Sequence, residues 1–279
     1  MRINNNINSM TTQGSLFKAN RSLSTSLERL STGLRINRAS DDAAGLGVSE
    51  NLRTQVRGAA QAQRNAQDGI SALNIAEGAM NEMSAILQRM RELSIQASND
   101  TLTSVERGYL DTEFQALDSE INRIATVTNY NGMKLLSGTG STRFGDSSAL
   151  WIDAGSKVGN DSITVTISTL SSATLSIDSL SLSAQASATS AIQSLDTAIN
   201  SVNTTRADVG ALVNRLEHAV NNLLVSEANQ ASAESMIRDV DFAVESSNFT
   251  RNQILVQSST AMLAQANVLP SAVLNLLGS

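Results

Sequence analysis

Few side chains in this 279-residue chain could do chemistry: there is one histidine, His218, no cysteine, and a closely spaced carboxylate pair, Asp239 and Asp241. The lack of cysteine excludes disulfide stapling and thiol catalysis, and it leaves only His218 and carboxylates to hold a first-row metal. His218 falls between the apolar positions Leu216 and Val220 of a helical pattern with no second histidine to help it, so it reads as a solvated side chain. Asp239 and Asp241, within RDVDF, stand two residues apart; on a helix they would diverge by about 200° and could not share a substrate. They too read as solvated charges. No glycine-rich phosphate loop follows a strand pattern and no HExxH occurs. Asn-x-Ser/Thr matches at Asn20, Asn99, Asn160, Asn203 and Asn248 are what chance gives in so Asn- and Ser-rich a chain. No catalysis, cofactor or metal is expected.

The elements that would position such side chains are helical. One proline, 3% aromatics and long stretches of Ala, Ser, Leu, Asn and Gln suit long helices and not a β-sandwich. Residues 1–64 hold nine Lys/Arg against four Asp/Glu, in a chain whose net charge is −6. That basic surplus is scattered and has no stacking aromatics, so it fits a complementary protein surface and not nucleic acid. No apolar run approaches the roughly 20 residues that span a bilayer, and MRINNNINSM lacks the apolar core of a cleavable signal. A soluble chain without a Sec-type signal is expected, with no membrane insertion.

Apolar residues at alternating steps of three and four mark helices that pack along one another. Leu23, Leu27, Leu30 and Leu34 set this spacing in a first helix over about 5–32. A second helix is predicted from a Ser40-Asp41-Asp42 cap to about Ser98, with a seam at Leu73, Ala76, Met80, Met83, Leu87 and Met90 and a second stripe at Ile75, Ala79, Ile86 and Leu93. The three methionines at this spacing read as core. Thr103 and Glu106 have capping-box spacing for a third helix, seamed by Leu110, Phe114, Leu117, Ile121 and Ile124, folding back on the second and ending at Asn131-Gly132. From about Ser137 the period falls to two: Ile163, Val165 and Ile167, then more weakly Leu175, Ile177, Leu180 and Leu182, predict a small antiparallel hairpin patch between 140 and 183. A Ser190/Gln193 capping box opens a fourth helix, seamed through Ile192, Leu195, Ile199, Val202, Val209, Val213, Leu216, Val220 and Leu223, with Arg206 as its one charged position. Leu255, Ser259, Met262, Ala266, Leu269, Val273 and Leu276 carry the last helix across Pro270, which should kink or fray its final turns.

The terminal helices have one apolar stripe each and cannot alone bury enough to offset their ordering entropy. Pairing first with last gives residues 1–40 plus 236–279 as an inner coiled coil, beside a helical bundle of 41–136 plus 184–235 that carries the hairpin region 137–183. The fold class is therefore mainly α, a long antiparallel bundle or coiled-coil rod with a small β-hairpin patch. Such a unit leaves apolar stripes uncovered, and contacts that do not close into a ring build a helical filament.

LSTGLRINRASDDAAGLGVSENLRTQ at 30–55, GISALNIAEGAMNEM at 69–83, LQRMRELSIQASN at 87–99, NYNGMKLLSG at 129–138 and the terminal LPSAVLNLLGS resemble bacterial flagellins, over about 1–138 and 185–279. The resemblance implies a homopolymeric subunit of the extracellular flagellar filament, exported unfolded through the flagellum's own channel and lacking the large outer domains of longer flagellins. It implies self-assembly through Leu23, Leu27, Leu30, Leu34, Leu255, Met262, Leu269, Val273 and Leu276. Implied partners are an export chaperone at the C-terminal segment and the filament cap and hook-junction proteins. Arg89, Leu93 and Glu113 match positions that in flagellins contact the Toll-like flagellin receptor of animal hosts, and helical spacing is expected to place them on one exposed patch. The peptidase motif that some flagellins carry is absent. Two alternatives remain at this point: a hook-filament junction protein of the same superfamily, and a secreted helical host-binding protein.

Overall fold

The computed structural model describes residues 5–138, 143–146, 148–153 and 161–277, with side chains described as far as 268. In chain order the elements are α1 (Ile7–Thr32), α2 (Ala43–Ala97), α3 (Ser104–Val127), β1 (Asn129–Tyr130), β2 (Met133–Lys134), β3 (Ser148–Trp151), β4 (Ser162–Val165), α4 (Gln185–Arg238) and α5 (Phe242–Leu277). The protein is mainly α-helical, as the composition requires. The chain forms two compact units, residues 55–228 and residues 1–54 with 229–279, and the division falls within α2 and within α4.

In the 55–228 unit α2 and α4 run antiparallel. Gln185 Nε2 donates to the Ser98 carbonyl at 3.2 Å, Arg91 pairs with Asp196 at 2.6 Å, and Arg206 lies 3.9 Å from Glu77. The α2 seam holds its three-four step without a break from Ala59 to Ala97, and Leu73, Met80, Met83, Leu87 and Met90 are fully buried. Each contributes about 1.5–3 kcal/mol of burial. The ends of this seam are Ala59, Ala62, Ala66, Ser94 and Ala97, small residues that bring the facing helices close. Its second stripe is buried at Leu93 and half-buried at Ala79 and Ile86, but Ile75 is exposed.

The seam of α4 corrects the predicted one by a single position in every heptad. Leu195, Val202, Val209 and Leu216 are buried as expected, but their partners are Ala188, Ala191, Ala198, Thr205 and Leu212. Ile192, Ile199, Val213 and Val220 flank them, half-buried. Arg206 is therefore not a seam residue; Thr205 is, and its hydroxyl is satisfied by the Ser201 carbonyl at 3.0 Å. Ser190 and Gln193 lie inside α4 and cap nothing, because the helix already begins at Gln185.

The Thr103/Glu106 capping box is present and starts α3. Arg107 reaches back to the carbonyls of Ala97 and Asn99 at 2.8 and 2.9 Å, closing α2 and turning α3 antiparallel to it. α3 ends at Val127, short of Asn131-Gly132. That pair is instead the turn of the β1–β2 hairpin, with φ of 49° and 80°, a left-handed backbone that Asn and Gly adopt with least strain. β3 and β4 form a second antiparallel pair in the register Ser148↔Val165 to Trp151↔Ser162. Leu175, Ile177 and Leu182 are buried, but their segment is a series of turns and not a strand. Its backbone is held by one face of α3: Asn122 Oδ1 accepts from Ser172 N at 3.0 Å, Gln115 Nε2 donates to the Leu180 carbonyl at 2.8 Å, and Asp111 accepts from Leu182 N at 2.7 Å.

Candidate self-assembly surface

The second unit is built on α1 and α5. Asn6 caps α1 by accepting from Ser9 N at 3.1 Å, and its amide donates to the Ala266 carbonyl at 2.9 Å. Ser9 meets Asn267 at 2.9 Å, Asn252 meets Ser26 at 3.4 Å, and Arg29 pairs with the buried Glu245 at 3.7 Å. These contacts fix an antiparallel coiled coil. The α1 positions turned inward are Ser9, Thr12, Leu16, Ala19, Leu23, Ser26 and Leu30, in strict three-four steps; on α5 they are Glu245, Phe249, Asn252, Val256, Ser259, Leu263 and Ala266. Half of this seam is small or polar.

The large apolar side chains lie mostly elsewhere. On α1, Ile7 is 59%, Met10 68%, Phe17 71% and Leu27 51% exposed; on α5, Ile254 is 59%, Leu255 47% and Met262 59% exposed. Of the predicted assembly residues, Leu23 and Leu30 sit half-buried in the seam, and Leu34 lies beyond α1 in a β-bridge with Asp239. Leu27, Leu255 and Met262 lie outside it, facing solvent. Leu269, Val273 and Leu276 fall within α5, which continues through Pro270 to Leu277, and their side chains lie outside the described residues. The sequence reading missed Val256 and Leu263, which the same periodicity would have given if shifted by one residue.

Two profiles match the chain: the bacterial flagellin N-terminal helical region over residues 3–141 and the bacterial flagellin C-terminal helical region over residues 192–277. The chain is 43% identical to the flagellar filament 33 kDa core protein of Treponema phagedenis over 99% of its own length and all of that protein. It is 42% identical to the flagellin of Bacillus subtilis with the same coverage.

The chain belongs to the bacterial flagellin family.

Flagellins are structural subunits of the extracellular flagellar filament, and this chain matches them along its full length, short form included. The crystal structure of Bacillus cereus flagellin superposes with a TM-score of 0.51 at 35% identity, covering 57% of this chain and 88% of that one. A flagellar hook-associated protein of Vibrio parahaemolyticus shares the fold, with a TM-score of 0.59 at 16% identity over 71% of this chain and 99% of that one. Among the described residues no helix is long and apolar enough to cross a membrane, and no cluster of three metal-binding side chains occurs.

The segment GLRINRASDDAAGLG, residues 33–47, forms the link between α1 and α2 and the first turn of α2. Gly33 closes α1, Ile36 plugs the link at 1% exposure, and the backbone N–H groups of Arg35 and Ile36 donate to the Arg238 carbonyl. Asp41 accepts from the backbone of Arg38 and Asn37 at 2.9 and 3.1 Å, and those hydrogen bonds hold its carboxyl below the usual range. Asp42 caps α2 through Gly45 N at 2.8 Å. A Cβ on Gly45 would stand 2.4 Å from the Asp42 carboxylate and 2.8 Å from the Ile36 side chain, so glycine alone lets cap and plug meet. Arg238 pairs with Glu50 at 2.6 Å beside this link. Asp241, read from sequence as a solvated charge, instead caps α5, accepting from Ala243 N and Val244 N at 2.9 and 3.2 Å.

The receptor-binding reading is split by the fold. Arg89 and Glu113 meet at 2.9 Å on the surface, and Glu92 adds a second contact at 3.2 Å; the hydrogen bonds that the guanidinium donates to Glu113, then to Glu92, raise its pKa further. Leu93 is not an exposed knob beside them. It is 1% exposed, because it lies three residues beyond Met90 and turns into the core. His218 is exposed on α4.

Proposed function

We propose that this flagellin polymerises through the outward faces of α1 and α5. The supporting observation is the inversion of that coiled coil, whose seam is rich in Ser, Thr, Asn and Ala while Phe17, Met10, Ile254, Leu255 and Met262 stand in water. Leaving such side chains exposed forgoes about 1.5–3 kcal/mol each, which neighbouring copies recover when they cover them. The subunit leaves the cell unfolded through the flagellar channel, with an export chaperone shielding the C-terminal segment that includes Leu269, Val273 and Leu276. It joins the filament against hook-junction proteins and under the cap. No catalysis is assigned to it. The test is electron microscopy of the purified chain after heating and slow cooling: long helical filaments are expected, and a chain that stays monomeric at every concentration refutes the reading.

A second role, contact with the host Toll-like flagellin receptor, is supported by the exposed Arg89–Glu113 pair. Arg is a favoured anchor of interfaces. Receptor binding by the monomer should weaken on Arg89→Ala, and unchanged affinity in the folded variant removes the role.

A further inference from the structure

The methionines of the described residues fall into two groups that match the two units. Met80, Met83 and Met90 are fully buried in the α2 seam and Met133 is half-buried, all in the 55–228 unit. Met10, Met236 and Met262 are 68%, 80% and 59% exposed, and all three belong to the unit of residues 1–54 with 229–279. Met10 shares α1 with the exposed Ile7 and Phe17, and Met262 lines a shallow groove with Thr11, Thr12 and Gln265 between α1 and α5. Thioether reactivity follows access, and the product is polar.

We infer that Met10, Met236 and Met262 are oxidation sites, and that conversion of Met10 and Met262, on the outward faces of α1 and α5, to sulfoxide by a peroxide blocks assembly of the monomer while leaving its bundle folded. The thioether sulfur attacks one peroxide oxygen, the O–O bond breaks as the S–O bond forms, sulfur is oxidised by two electrons and the peroxide is reduced to water. The sulfoxide oxygen then lies where a neighbouring copy would cover an apolar side chain, and burying it without a hydrogen-bond donor is unfavourable. Once a filament has formed, Met10 and Met262 are covered and resist the oxidant. The buried methionines of α2 keep the bundle out of reach in both states. The inference rests on the assembly reading above.

The experiment treats the full-length monomer with hydrogen peroxide, maps the sulfoxides by mass spectrometry, follows helicity by circular dichroism and measures the critical concentration by sedimentation. Met10, Met236 and Met262 should oxidise first with helicity retained, and the critical concentration should rise about tenfold or more. Methionine sulfoxide reductases A and B should restore it. Peroxide should leave the critical concentration of the triple variant Met10→Leu, Met236→Leu, Met262→Leu at that variant's own untreated value, whatever that value is. Normal assembly of monomer oxidised at these three positions overturns the inference, as does oxidation of Met80, Met83 and Met90 at the same rate. If the triple variant does not assemble, reductase rescue of the oxidised natural chain decides alone. An untreated chain that never assembles refutes the assembly reading itself, and the untreated control reports that separately.

Discussion

Leu93→Ala separates a core residue from a surface one. Leu93 is 1% exposed, on the α2 stripe shared with the half-buried Ile86, and belongs to the same cluster as Met90, Phe114 and Ile121. Removing its isobutyl group loses transfer free energy and leaves a cavity that helices on several sides cannot easily close, for about 2–5 kcal/mol. At about 2–4 °C per kcal/mol for a unit of this size, the bundle should melt about 4–20 °C lower. Arg89→Ala, four residues away on the exposed surface, should leave the melt nearly unmoved, because its pairs with Glu113 and Glu92 are screened by water. Thermal denaturation of both variants by circular dichroism makes the comparison. If Leu93→Ala melts with the natural chain, the assignment of Leu93 to the core is wrong. Any receptor defect of Leu93→Ala would then be evidence for direct contact, whereas a destabilised variant speaks only to the fold.

Asp118 is buried, and one of its carboxylate oxygens has no hydrogen-bond partner among the described residues. Burial pushes its pKa up, a hydrogen bond with Ser172 opposes this, and the charge of Asp178 adds to it. A carboxyl with a raised folded pKa binds its proton more tightly when folded, so its stabilisation is present in acid and lost as pH rises through that pKa. Asp118→Asn should therefore raise the melting temperature at neutral pH, by an amount corresponding to about 1 kcal/mol, and the advantage should shrink toward pH 4, as melts across pH will show. Thr103→Ala removes the cap that accepts from Glu106 N and should cost about 1 kcal/mol in chemical denaturation, with the α2–α3 turn exchanging its amide hydrogens faster. Deleting residues 269–279 should abolish sedimentable polymer while the bundle keeps its melt; a truncated chain that still forms filaments removes that segment from the assembly surface.

The helices were legible because their large residues kept a strict period and their ends carried recognisable caps: Asp42 and the Thr103/Glu106 box act as their spacing predicts. The misread positions share a cause. In α4 the apolar pattern leads through Ile192, Ile199 and Val213, yet the helix turns their neighbours Ala191, Ala198 and Leu212 inward and leaves the predicted three half-buried on the flank, one position round from a seam that keeps Leu195, Val202, Val209 and Leu216. The same one-residue shift replaces Leu255 and Met262 by Val256 and Leu263 in the α5 seam, and Arg206 by Thr205 in that of α4. Asn131-Gly132 between Tyr130 and Met133 signals the β1–β2 turn, but the same pair also ends helices, and after a helical pattern the two senses look alike in the sequence. Leu175 to Leu182 alternates because one face packs on the core. No ladder forms, since Asp111, Gln115 and Asn122 of α3 satisfy its backbone instead, and a long-range side-chain clamp leaves no local trace.

Filament assembly through the outward faces of α1 and α5 is what we propose for this flagellin. Phe17→Ser with Leu255→Ser tests it most directly, since both side chains are exposed and neither belongs to the seam. The critical concentration for filament formation, measured by sedimentation beside circular dichroism of the monomer, should rise by about tenfold or more with unchanged helicity. Filaments forming at the natural concentration from this variant would contradict the claim.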